Sequence, residues 1–202
     1  MATKSRRELI RQQRLKKRRL TYGLFGILGL IALALVGFTL LNNPSSAEGG
    51  VAQAGEAVPV MPSVDHVPDG TDPGPFNTDP PTSGKHYNDP LRAGFYDEED
   101  AQTMGEYPEG HLVHSLEHGY VIFWYNCTSL DEAGCSGLKE EISQVMDEAG
   151  NIKVIAFPWD SIDVPVVVTS WARMLSFESF DPEQALAFVE ANRNKSPEPN
   201  GE

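Results

Sequence analysis

Residues 111–118 read HLVHSLEH, which puts His111, His114, Glu117 and His118 within eight positions. Imidazoles and carboxylates are ligands for transition metals, so the question is whether the chain brings them to one point. On a helix, His114 and His118 lie one turn apart on one face and can share an ion. In an extended chain they still face the same way but stand about 13 Å apart, too far for one ion. They are a ligand pair only if the segment coils, and Gly119 is a fitting helix stop directly after it. His111 lies on the same side but is too far along the axis from His118 for all three to bind together.

A third ligand has to come from elsewhere. His86 in PPTSGKHY is the first candidate, because Pro80 and Pro81 stiffen its loop; Met104 and Glu117 come next. Three imidazoles suit Zn²⁺ or Cu²⁺, and an added thioether would favour copper, above all Cu⁺. Such a site would serve metal capture, buffering or delivery. A second reading is catalytic. His114, Glu117 and His118 fit H-x-x-E-H, the inverted zinc-peptidase pattern, in which Glu117 would polarise a zinc-bound water. That chemistry needs a longer helix, a further acidic ligand on a second helix and a cleft, whereas here a glycine and a strand follow at once. A third reading makes the histidines structural, as hydrogen-bonding groups in a non-catalytic module that binds other envelope proteins. For His66 and His111 taken singly the structural role is preferred.

The elements around the cluster read clearly. Tyr120–Tyr125, YVIFWY, is apolar throughout and suits a strand buried on both faces. Residues 137–149 place Leu138, Ile142, Val145 and Met146 at helical spacing, with Gly150-Asn151 as the stop. Ile152–Phe157 and Val164–Ser170 are further strands. Asp181 as N-cap and Pro182 at the first position start a helix whose apolar face is Ala185, Leu186, Phe188 and Val189, ending near Asn192. The helix between the first two strands predicts a parallel crossover, and the short turn after the second predicts an antiparallel pair. The expected fold is α+β: a small mixed sheet packed with two or three helices, preceded by a long irregular lead. The order is like the second half of a thioredoxin-like fold, but no C-x-x-C pair is present, which argues against a thiol oxidoreductase. Trp124, Trp159 and Trp171 read as core or rim aromatics. Asp97–Asp100, DEED, reads as a solvated loop, with a Ca²⁺ contact as the alternative.

The N-terminal segments place this domain. Residues 1–19 carry nine Lys or Arg against one acid, and residues 20–41 carry no charge. Such a run spans roughly 30 Å as a helix, the thickness of a bilayer core, and the basic cluster should stay cytoplasmic. The expectation is therefore a single-pass protein of the plasma membrane. It has a cytoplasmic tail (1–19), a transmembrane helix (20–41), a flexible stalk (42–60), an extracytoplasmic domain (61–195) and a disordered tail (196–202). A cleavable signal peptide ending near Ser45-Ser46-Ala47 is the alternative, although the apolar run is long for one. Residues 44–202 hold seven basic against 28 acidic residues, a formal charge of −21. That field repels nucleic acid and anionic lipid and concentrates cations. Cys127 and Cys135, eight apart and on an oxidising face of the membrane, read as a disulfide.

Several segments then fit a known pattern. PPTSGKHY, GFYDE, VHSLEHGYVIFWYNC, TSWARMLSFESFD and FVEANRNKSPEP stand in the order found in a bacterial membrane-anchored family called domain of unknown function 3105. The resemblance covers about residues 60–200. Lys85 stands where proline is common in that family. The resemblance implies one N-terminal anchor and an extracytoplasmic domain, and it carries no activity. His86, His114 and His118 lie inside its motifs.

Overall fold

A computed structural model describes residues 55–201. These residues belong to one compact unit. The predicted transmembrane helix over 20–41 and most of the predicted stalk lie outside the described residues. No helix among those described is long and apolar enough to cross a membrane.

In chain order the elements are β1 (Glu56–Ala57), β2 (Gly94–Phe95), α1 (Glu98–Gln102), α2 (Glu109–Glu117), β3 (Val121–Tyr125), α3 (Glu132–Glu148), β4 (Val154–Pro158), β5 (Val166–Ser170), β6 (Arg173–Phe177) and α4 (Pro182–Asn192). The fold is α+β, with one six-stranded mixed sheet of order β1-β6-β5-β3-β4-β2. β3 lies inside it with all five side chains buried, as an uninterrupted apolar run requires. On one face Val121, Phe123 and Tyr125 pack with Leu138, Ile142 and Val145 of α3 and with Phe188 and Val189 of α4. On the other, Ile122 and Trp124 pack with Leu112 and Leu116 of α2. Fully burying each such side chain contributes about 1.5–3 kcal/mol. The sheet thus separates α2, which carries the histidines, from α3 and α4.

β3 and β4 run parallel around the α3 crossover, as expected. The expected antiparallel pairing of β4 with β5 does not occur: β5 pairs antiparallel with β3, on its other edge. The connection over 159–165 crosses the end of β3, bonding Trp159 N to the Tyr125 carbonyl and Asn126 N to the Pro165 carbonyl. Asn126 Nδ2 fastens it again, donating to the Ile162 carbonyl at 2.6 Å. A link that looks like a turn is long enough to change sides.

Other boundaries also move. α3 begins earlier than its apolar spacing suggests, because Asp131 caps it through Gly134 N. The predicted Cys127–Cys135 disulfide is present and ties that first turn to the end of β3. β6 was not expected. Its hairpin with β5 turns on Trp171-Ala172, with Ala172 at φ 57°, and lacks the Asn or Gly that usually marks such a turn. Part of the segment read as stalk is already in the sheet, since Glu56 and Ala57 pair with β6.

Candidate metal centre

α2 is the helix that the histidine pair requires. It runs to Glu117, with His118 as its C-cap and Gly119 at φ 84° turning the chain into β3. His114, Glu117 and His118 are all buried. The lead is held by main-chain bonds, Tyr87 N to the Gly110 carbonyl and Val67 N to the His86 carbonyl. Gly110 permits this approach: a Cβ there would stand 2.5–2.7 Å from the Tyr87 ring.

The outcome is a convergence of four side chains. One ligand atom from each of His66, His86, His114 and Glu117 lies within 4.8 Å of the others. The His86 ring centroid is 4.6 Å from that of His66 and 5.0 Å from that of His114. Main-chain carbonyls orient both inner rings. His86 Nδ1 is 2.9 Å from the Gly84 carbonyl and His114 Nδ1 is 2.6 Å from the Tyr87 carbonyl. A carbonyl can only accept, so each Nδ1 carries the hydrogen, and the neutral form of such a ring has its lone pair on Nε2. Burial first, followed by the neighbouring His118, His86 and His66, pushes the His114 imidazole down to about 4, against the opposite effect of the Tyr87 carbonyl. The ring is thereby held in the neutral form that a metal requires.

Glu117 Oε2 stands 2.9 Å from His86 Nε2. Despite that closeness the nitrogen makes no hydrogen bond. The pair is therefore close without the alignment of N–H to carboxylate. A hydrogen bond needs alignment as well as a short distance, and this contact has only the second. Two ligands of one ion meet at this kind of separation without pointing at each other.

The predicted residues divide. His86, His114 and Glu117 come together. His118 sits beside them, with its Nε2 3.0 Å from His114 Nε2. His111 turns away: its Nδ1 bonds the Asp89 carbonyl at 2.6 Å and its ring packs on Tyr87, so it braces the lead. Met104 packs against the apolar cluster beneath α2. His66, read singly as structural, lies in the cluster as its exposed member. A paired bridge between His66 and His86 brings it there. The signal was in the lead itself, whose aromatic residues imply ordered chain that can return both of its histidines to one place.

The tail also departs from expectation. Read as disordered, it lies instead on the end of α2, with Glu198 N bonded to the Glu117 carbonyl. Lys153 Nζ donates both to the His118 carbonyl at 2.8 Å and to the Pro199 carbonyl at 2.6 Å.

Elsewhere, a cavity of about 900 Å³ opens at the carboxyl ends of β3 and β4, lined by Glu106, Tyr107, Glu109, Tyr125 and Trp159 among others. None of the clustered histidines lines it. Volume alone does not supply ligands, and the four convergent side chains that could hold an ion lie at the cluster instead.

Residues 71–202 match the family described as "Protein of unknown function (DUF3105)". The match includes every cluster residue except His66. No curated protein and no solved structure gives a significant match.

Proposed function

We propose that this chain, which belongs to the DUF3105 family, is a membrane-anchored extracytoplasmic protein that binds one transition-metal ion through His66, His86, His114 and Glu117. The observation that carries the proposal is the contact of His86 Nε2 with Glu117 Oε2: two buried electron-pair donors, 2.9 Å apart and not hydrogen-bonded. A cation between them removes the conflict. Carbonyl-held Nδ1–H groups on both inner rings are the usual outer support of metal-bound histidines. Three nitrogens and one oxygen suit Zn²⁺ or Cu²⁺; without a sulfur donor, Cu⁺ is disfavoured. The exposed His66 leaves one ligand open to exchange, which favours capture and delivery. The anchor over 20–41 and the acidic outer portion would hold such a site outside the membrane in a field that gathers cations.

A zinc hydrolase fits less well. Its Glu117 would have to stand free to activate water, whereas Glu117 is here among the converging ligands. Four protein ligands are the pattern of structural and storage sites, and catalytic zinc keeps one position open. The deciding experiment is elemental analysis of the untagged full-length protein after exposure to Zn²⁺ and Cu²⁺ in turn. About one ion per chain is expected, and a protein that stays metal-free under both conditions refutes the proposal.

A further inference from the structure

We infer that His118 and Glu198 form an outer station of the metal centre, from which an ion reaches the four-ligand site by way of a shared ligand, His114. The inference rests on the metal reading above and adds the ion's route.

His114 Nε2 faces two ways. Towards the lead His114 offers a ring nitrogen beside the donors of His66, His86 and Glu117, and with Nδ1 on the Tyr87 carbonyl Nε2 is the one left to ligate. Towards the tail it meets His118 Nε2 at 3.0 Å, and that nitrogen is 3.7 Å from Glu198 Oε2. Two imidazole nitrogens 3.0 Å apart can occupy neighbouring corners around one ion at metal–nitrogen distances of about 2.0–2.1 Å. His114, His118 and Glu198 are therefore a second ligand set that shares one member with the first. His114 Nε2 has a single lone pair, since its Nδ1 carries the hydrogen donated to Tyr87. The two sets are alternative positions for one ion and cannot both be filled.

Two further observations bear on the outer set. His118 Nδ1 is buried and has no partner. In the resting arrangement, His118 Nε2–H donates to His114 and leaves Nδ1 idle. To ligate through Nε2, the ring releases that proton to water and takes one up on Nδ1, so its charge does not change. The Glu198 side chain, in contrast, is 61% exposed and can meet an ion from solvent. The tail covers the route: a Cβ on Gly201 would stand 2.5–2.6 Å from the Cδ2, Nε2 and Cε1 atoms of His118. The main chain thus rests on the very edge of the ring that the ion needs, and it must lift for the station to fill. An arriving ion then exchanges Glu198 and His118 for His66, His86 and Glu117, with His114 holding it throughout. Ligands are exchanged, and no electrons move.

The test follows Zn²⁺ transfer between the full-length protein and a fluorescent chelator by stopped flow, in both directions. Glu198→Gln keeps the exposed side chain's size and so leaves folding intact. It is expected to slow loading and release by about tenfold each, a loss typical of a supporting ligand. Glu190→Gln, an exposed change on α4, serves as the control. Unchanged rates in Glu198→Gln would overturn the inference and route the ion past His66. Weakened affinity at an unchanged loading rate would also overturn it, by making Glu198 an equilibrium ligand. Failure of the wild-type protein to take up any Zn²⁺ would overturn the metal reading and this inference together.

Discussion

Two groups of side chains among the described residues bring potential ligand atoms within 4.8 Å of one another, and they differ in what those atoms are already doing. In one, Glu98, Cys127 and Cys135 meet beside α3. Its sulfurs are bonded to each other, and its carboxylate is paired with Lys139. In the other, the lead and α2 bring together His66, His86, His114 and Glu117. Main-chain carbonyls occupy the Nδ1 atoms of the two inner rings, and His86 Nε2 stands beside the Glu117 carboxylate with no hydrogen bond between them. Proximity is common to both groups. Only the second has a buried ligand atom without a hydrogen bond, and that separates a cross-link from a candidate binding site.

The sharpest way to break the comparison is to remove ligands from each group. His86→Ala with His114→Ala should abolish the one ion per chain expected of the wild type, as read by elemental analysis. Cys127→Ser with Cys135→Ser should leave that stoichiometry unchanged. Retention of the ion by the histidine variant would move the site elsewhere.

The same cysteine variant should lose stability where the histidine cluster does not depend on it. Closing a loop of this length contributes about 2–3 kcal/mol in the chain-entropy account. Denaturant unfolding of the oxidised and reduced forms should show that difference, and a difference under about 0.5 kcal/mol would mean that capping by Asp131 alone fixes the first turn of α3.

A third test uses pH and should touch only the histidine group. Folding lowers the His114 pKa from 6.5 to about 4, chiefly by burial. Between those values the unfolded chain takes up a proton that the folded chain refuses, so protonation favours unfolding. The contribution is therefore fully present above about pH 6.5 and is lost as pH falls towards 4. In metal-free protein the melting temperature should decline across that window, and His114→Gln should flatten the decline even if its baseline is lower. An equal slope in the variant would assign the titration to other groups.

How much of this could be read in advance follows the range of the interactions. Local signals were legible: the Asp181–Pro182 start of α4, the all-apolar β3 and the stop at Gly119 each depend on a few neighbouring residues. The disulfide was legible for the same reason. What escaped depends on distant partners. β5 crosses to the far edge of β3 through bonds made by Asn126, which no local pattern announces. His66 joins the cluster through a bridge to His86 across 20 residues of irregular chain. The tail is polar enough to look frayed, yet it is held by Lys153, whose Nζ reaches it from 46 residues away. The coil of α2 and the candidates His86, His114 and Glu117 could be read from the sequence, whereas the approach of His66 could not.

The smallest expected effect probes how those distant ligands are held. Ser115 is fully buried on α2 between His114 and Leu116. Its Oγ accepts from Leu91 N at 2.9 Å and lies 2.9 Å from the Leu91 carbonyl, to which it donates. These bonds dock the chain that follows His86 onto the helix. Ser115→Ala leaves the part-buried N–H and carbonyl of Leu91 without that partner, at a cost of about 1–2 kcal/mol. Because the substitution touches no ligand, the ion should still bind, but with affinity reduced by less than tenfold as His86 loses some of its fixed position. The disulfide group lies across the sheet from α2, so the stability gained on oxidation should be the same in this variant as in the wild type. Additivity of that kind is expected for sites without shared partners. A Ser115→Ala protein that lost its ion altogether would show instead that docking of the lead, more than the four ligands themselves, decides whether the site exists.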